Sequence, residues 1–245
     1  MNNRTSPNFI KADVGNLANY IEFLNKLKAD NLIIYRGQSD DWPLLPKISR
    51  FAPRRETTRN EKEMMNDFSK LIMSVSNLKP KNDWELIALA QHHGLPTRLL
   101  DWTTNPLAAL WFAVKSPPEK SQNTPGVVWY FTPFDTDLLS DDDDISPYDL
   151  NECKVFNPTH ITERIRTQSG FFTTHGFDSV NNKFIPLEET EIHEKKLGKL
   201  RIPPKIFSDL RRQLDNCSID SFSLFPDLDG LSKYLEGKHF RYADE

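Results

Sequence analysis

The sequence predicts an α+β fold: one domain, with a central mixed sheet flanked by several helices. Three observations carry that expectation. Short, continuous apolar runs such as Leu32-Ile33-Ile34-Tyr35 and "GVVWYFT" have the length and β-branched or aromatic character of buried strands. Stripes with a period near 3.6 mark amphipathic helices, most of them in the first half. Strands and terminal helices then follow without a clear linker, which fits a single α+β unit.

Residues 1–14 read as a poorly ordered lead-in. "GNLANYIEFLNKLKAD" places Leu17, Ile21, Leu24 and Leu27 on one helical face, feeding a strand at 32–35. The segment after Phe51 opens as a charged loop and becomes a helix from about Asn60, with Met64, Phe68, Leu71 and Val75 as its apolar stripe. "NDWELIALAQHH" is a helix over 84–93, capped by Asn82 or Asp83 and stopped by Gly94. Asn105-Pro106 starts another, over 105–115, with Asn as cap and Pro in the first turn. Its run "PLAALWFAV" is apolar nearly all round, as a core helix would be. "GVVWYFT", "SGFFTTH" and "KLRIP" follow as strands, and "PKIFSDLRRQLD" and "DLDGLSKYLEG" as closing helices. Asp141 to Asp144 read as a solvated loop.

Composition narrows the function. The chain has 245 residues, 31 basic and 35 acidic, for a net charge of −4, so no excess of positive charge advertises nucleic acid. It contains no apolar run of transmembrane length, and its first residues lack the apolar stretch of a signal peptide. Cys153 and Cys217 stand alone, with no CxxC pair and no HxxxH spacing, so no zinc site is expected. A reducing cytoplasm is the expected compartment.

Arg36 is the first residue that points to chemistry. It follows the apolar run and shares a strand face with Ile34, where an unpaired guanidinium costs several kcal/mol or so. One reading pairs it with a carboxylate such as Asp101. The other makes it an anion site, with Gly37 letting backbone approach a phosphate. A second polar spot lies in "HHGLPTRLLDWTTN", which is expected to be a loop between two apolar helices. There Arg98 and Asp101, three apart, are placed to pair with each other. His93 extends the apolar stripe of Leu86 and Leu89 as a core histidine, whereas His92 lies on another face and is the better catalytic candidate. Trp102 reads as core, or as a platform for a base. A third spot is Gln168-Ser169-Gly170-Phe171-Phe172-Thr173-Thr174-His175, where a hydroxyl and backbone N–H groups lead into a strand; a plain turn before a strand is the alternative.

Tyr35-Arg36-Gly37-Gln38, the stretch His92-His93-Gly94-Leu95-Pro96-Thr97-Arg98-Leu99-Leu100-Asp101-Trp102-Thr103, and Asn105-Pro106-Leu107-Ala108-Ala109-Leu110 together resemble the FRG domain family. The ending Ser223-Leu224-Phe225-Pro226-Asp227-Leu228-Asp229-Gly230-Leu231 is similar to the family's C-terminal segment. The resemblance spans roughly residues 30–232, leaving 1–29 as an N-terminal segment and helix and 233–245 as a tail. It implies little about activity. In short cytoplasmic bacterial proteins, a domain of this sort would suit a toxin or a defence effector.

A second, narrower resemblance bears on chemistry. Tyr35-Arg36-Gly37 is similar to the first motif of arginine-type ADP-ribosyltransferases, Ser169 stands where their serine falls, and Glu189-Thr190-Glu191 fits their ExE pattern. That likeness implies an ADP-ribosyltransferase-like fold and NAD as the cofactor. The arginine would hold phosphate and ribose, and a glutamate would stabilise an oxocarbenium-like centre. The chain departs from the pattern in lacking Ser-Thr-Ser and in the exposed, charged look of "IPLEETEIHEKK". On these readings the catalytic candidates are Arg36, His92, His93, Asp101 and Ser169. The binding candidates are Tyr35, Gly37, Gln38, Thr97, Arg98, Trp102, Gln168 and Phe171. Two alternatives stay open. One is a nucleic-acid-binding or otherwise non-enzymatic module, using Arg50, Arg54, Arg55 and Arg59 on phosphates and Trp42 and Trp102 for stacking. The other is a hydrolase with His92 as base and Asp101 as its orienting partner.

Overall fold

The computed structural model describes residues 9–27, 31–52, 56–117, 124–139, 145–150, 152–157, 170–190, 197–240 and 244. Among them a mixed seven-stranded sheet runs in the order β1-β9-β4-β2-β3-β6-β5. The strands are β1 (Ile10–Asp13), β2 (Ile34–Gln38), β3 (Leu99–Thr103), β4 (Gly126–Phe131), β5 (Val155–Phe156), β6 (Gly170–Thr174) and β9 (Leu197–Ile202). β7 (Phe177–Asp178) and β8 (Lys183–Phe184) form a separate two-stranded ribbon. β1 runs parallel to β9 and the other pairs are antiparallel. The helices are α1 (Leu17–Lys26), α2 (Thr57–Val75), α3 (Asp83–His92), α4 (Pro106–Val114), α5 (Phe207–Asn216), α6 (Ser221–Leu224) and α7 (Leu228–His239). This is the α+β arrangement expected from the sequence, a single sheet flanked by helices.

The sheet has two differently covered faces. On one, Tyr35, Val128, Leu200 and Ile202 pack against Ala109, Leu110, Ala113 and Val114 of α4 and Phe207, Leu210 and Leu214 of α5. α4 is buried as predicted, with Asn105 accepting from the N–H groups of Leu107 and Ala108 and Pro106 in the first turn. On the other face, Ile34, Leu100, Trp102, Val127, Trp129 and Phe131 lie beneath Leu44 and Leu187. A third cluster joins Met65 of α2 and Ile87, Ala88 and Ala90 of α3 to Leu99 and Phe172.

Four local expectations are corrected. Residues 10–13 are not a loose lead-in: Ile10, Ala12 and Asp13 pair with Lys199, Leu200 and Arg201. A four-residue edge strand is too short for its alternation to show. The first central strand begins at Ile34 rather than Leu32 and continues through Arg36, Gly37 and Gln38, which pair with Trp129, Val128 and Val127 of β4. The segment between α3 and α4 is a strand, β3, paired along its length with β6; its polar Asp101 and Thr103 hide the pattern. In α2 the buried stripe is Thr57, Glu61, Met65 and Ile72; Met64 and Phe68 of the expected stripe pack beside it, while Leu71 and Val75 are exposed. A buried glutamate sets that rotation.

Gly37 is a packing requirement. A Cβ there would meet the Ala109 carbonyl oxygen at 1.8 Å, so α4 rests directly on the β2 backbone. Gly37→Ala should therefore cost about 3 kcal/mol or more, because backbone has to shift. Thermal melting checks this; an unchanged melting temperature would contradict the close contact.

Candidate functional site

β2 and β3 share one ladder pair, Tyr35 with Thr103, and then part. The Arg36 guanidinium enters at that parting and donates from Nη1 to the Asp101 carbonyl oxygen at 2.7 Å. The Asp101 carboxylate is farther off, with Oδ2 3.9 Å from Nη1, because Asp101 points to the other side of its strand. That carboxylate instead accepts from Gln91 Nε2 at 3.0 Å, and Gln91 Oε1 accepts from Thr97 Oγ1 at 2.6 Å. The end of α3 is thereby tied to the start of β3. Arg36 has only 19% of its side chain exposed. Burial lowers its pKa, Asp101 opposes that, and nearby Arg50 adds to it.

Two other arginines show what a compensated buried cation looks like here. Arg98, 1% exposed, donates from its backbone N to Glu61 Oε1 at 2.9 Å and from Nε to Oε2 at 2.8 Å. Its guanidinium also lies over the Tyr148 ring, 5.3 Å from the centroid. Arg211 donates from Nη1 to the Val114 carbonyl and from Nη2 to Asp244 at 2.5 Å. In place of such a carboxylate at hydrogen-bond distance, Arg36 has a carbonyl at 2.7 Å and the Asp101 carboxylate only at 3.9 Å.

Strand alternation places Gln38, Trp129 and Trp102 on the same sheet face as Arg36, with Thr173 and His175 at its β6 edge. Trp102 Nε1 donates to Thr173 Oγ1 at 2.9 Å, and that hydroxyl lies 3.5 Å from His175 Nε2. His175 Nδ1 lies 3.4 Å from the Ile185 carbonyl, an acceptor only, which assigns the ring proton to Nδ1. Burial pushes the His175 pKa down to about 4, with a smaller push from Arg36.

The residues singled out in the sequence separate accordingly. Arg36, Asp101, Thr97 and Gln38 come together around the parting of β2 and β3. Tyr35 and Gly37 face α4. Trp102 is core, and Phe171 packs beside it. Arg98 pairs with Glu61, not with Asp101, and is closed off from solvent. His93 is exposed at the end of α3 rather than part of a core stripe, and its ring meets that of half-buried His92 edge-on at 5.1 Å. Asp101 accepts a hydrogen bond from Gln91. Ser169, Gln168, Arg54, Arg55, Glu191 and Asp141 to Asp144 lie outside the described residues. Arg59 bonds to Glu63 at 3.0 Å.

Gln91 and Trp129 carry no signal used in the sequence reading, although a polar residue closing an apolar helix marks the first; His175 lies in the third polar stretch but is not among its candidate site residues.

The comparisons with known proteins bear on this region. Residues 31–122 match the family model described as FRG domain. The likeness to that family is confined to this segment. The segment contains β2, α2, α3, β3 and α4, and so the Arg36, Gln91, Thr97, Arg98 and Asp101 contacts. The Ser223–Leu231 stretch falls outside the matched residues and forms the α6–α7 corner, where Gly230 packs on the Phe225 carbonyl. No curated protein and no solved structure gives a significant match. Among the described residues, no helix is long and apolar enough to cross a membrane, and no group of three or more His, Cys, Asp or Glu is placed to hold a metal ion.

Two predictions follow from these buried groups. Arg98→Met should cost about 3–5 kcal/mol by stranding the Glu61 carboxylate, and adding Glu61→Leu should restore much of it; denaturant unfolding of the single and double variants measures both. His175 binds its proton less tightly folded than unfolded, from 6.5 down to about 4. The unfolded chain therefore gains protons first as pH falls, and on the order of 3 kcal/mol of stability should be lost between pH 6.5 and 4. His175→Gln should flatten that part of the stability profile.

Proposed function

We propose that the chain binds a phosphate-bearing, nucleotide-like ligand at the parting of β2 and β3, with Arg36 as its anion contact and NAD as the first ligand to test. The observation that carries this reading is the incomplete compensation of Arg36. Its nearest carboxylate oxygen is 3.9 Å away, whereas Arg98 is clasped by Glu61. A guanidinium in that state gains most from an anion offering two acceptors, because its planar fork matches phosphate geometry. Arg50, close enough to influence Arg36, adds positive charge of the same sense.

Transfer or hydrolysis of the ADP-ribosyl group is the finer form of the reading. Arg36 would hold phosphate and ribose, and a carboxylate would stabilise the developing oxocarbenium ion. Glu188 is the better-placed candidate in the 187–189 turn. It is half-buried, its pKa is raised by that burial, and it accepts from Leu44 N, whereas Glu189 is exposed.

Titration calorimetry with NAD and ADP-ribose tests the proposal. Arg36→Lys should weaken both about tenfold or more with little change in melting temperature, since an ammonium cannot reproduce the two-pronged contact. A large drop in melting temperature with affinity unchanged would assign Arg36 to the scaffold instead. Nicotinamide release, followed on the same samples, reports the finer reading.

A further inference from the structure

Three buried polar atoms on one face of the sheet have no partner among the described residues: Arg36 Nε, Gln38 Oε1 and Trp129 Nε1. They belong to adjacent strands. Arg36 is the direct cross-strand partner of Trp129, which puts their Cβ atoms about 4.5–5.5 Å apart, and Gln38 follows two residues along on the same face. Gln38 is 6% exposed and Trp129 1%. The orientation of the Gln38 amide is fixed, because its Nε2 donates to the Trp42 carbonyl at 2.8 Å and a carbonyl can only accept. Its oxygen is therefore the free end. Each such atom is costly to leave unpaired, and one shared partner would satisfy all three.

The segment from Asp40 to Leu44 straps over this face. Lys199 Nζ grips both Asp41 carboxylate oxygens at 2.6 Å while lying 4.8 Å from the Trp129 ring centroid. Leu44 is bonded to Glu188 and to Leu187 N. A small group would reach these atoms by local lifting of this strap, Leu44 leaving the core cluster as it does so.

We infer that Arg36 Nε, Gln38 Oε1 and Trp129 Nε1 form a subsite for a primary carboxamide. The complement is chemical. Two N–H donors suit an amide oxygen with its two lone pairs, and one acceptor suits the amide NH2. A carboxylate would leave Gln38 Oε1 facing a second oxygen. This deepens the proposed ligand reading, with which it shares Arg36, and it adds a contact independent of phosphate. The carboxamide belongs either to an aromatic amide or to a glutamine-type side chain.

Saturation-transfer NMR with nicotinamide, nicotinic acid and free glutamine on the whole chain tests the subsite. Nicotinamide or glutamine should bind and nicotinic acid should not; whichever amide binds identifies the source. Trp129→Phe, which removes the indole N–H, should weaken that amide about tenfold, with the far-ultraviolet circular dichroism spectrum retained. Gln38→Met gives a second variant should Trp129→Phe not fold, with the same loss expected. No binding of either amide, or equal binding of nicotinamide and nicotinic acid, overturns the subsite and leaves a buried water as the partner of these atoms. ADP-ribose, added in parallel, separates the two proposals. If an amide binds and ADP-ribose does not, the phosphate contact falls and the subsite stands.

Discussion

The arrangement depends on the contact of β2 with α4. Gly37 has no side chain, so the backbone of α4 lies against the strand at the distance a Cβ would occupy. Tyr35 points to the same side and joins the α4–α5 cluster. Alternation then leaves Arg36 and Gln38 no choice of face. They are turned to the opposite side of a central strand, with β4 on one flank and β3 on the other. A polar pair is thus held beneath the Leu44–Leu187 cover by a packing constraint on the far side of the sheet.

Charge burial is handled differently at each site. At Arg98 the charge is answered locally by Glu61 and by the Tyr148 ring, so the pair locks α2 to the start of β3. Burial raises the Glu61 pKa, and the bonds to Arg98 offset part of that. The pair gives geometry more than net stability, since desolvation consumes much of its Coulomb energy. At Arg36 the partner is a main-chain carbonyl, which satisfies one N–H but supplies no opposing charge. That difference between two buried arginines is the physical ground for reading Arg98 as scaffold and for proposing Arg36 as a ligand contact.

Among the described residues, the cover on the Arg36 face comes from the strap at 40–44 and from Leu187, without a helix. The strap at 40–44 is held through Asp41, Trp42 and Leu44, while the face below carries Trp129, Gln38 and Ile34. The opposite face is closed by α4 and α5 with apolar contacts along their length.

Much of the fold was legible in the sequence because periodicity and capping are local. Asn82, Gly94, Asn105 and Pro106 bound α3 and α4 by bonds within a few residues, and Gly94 takes the left-handed conformation, φ 85°, that a helix stop needs. The apolar runs marked β4, β6 and β9 for the same reason. Strand β3 was not legible, since its alternation of Leu100 and Trp102 with Asp101 has meaning only once β6 pairs with it. The α2 stripe is legible only at Met64 and Phe68, because a buried Glu61 looks polar until Arg98, 37 residues away, is seen to neutralise it. Arg36 was marked as a residue needing a partner by burial and alternation alone. Which partner it has, and that Gln38 and Trp129 share its predicament, was decided by register between strands roughly ninety residues apart, information that no local pattern carries.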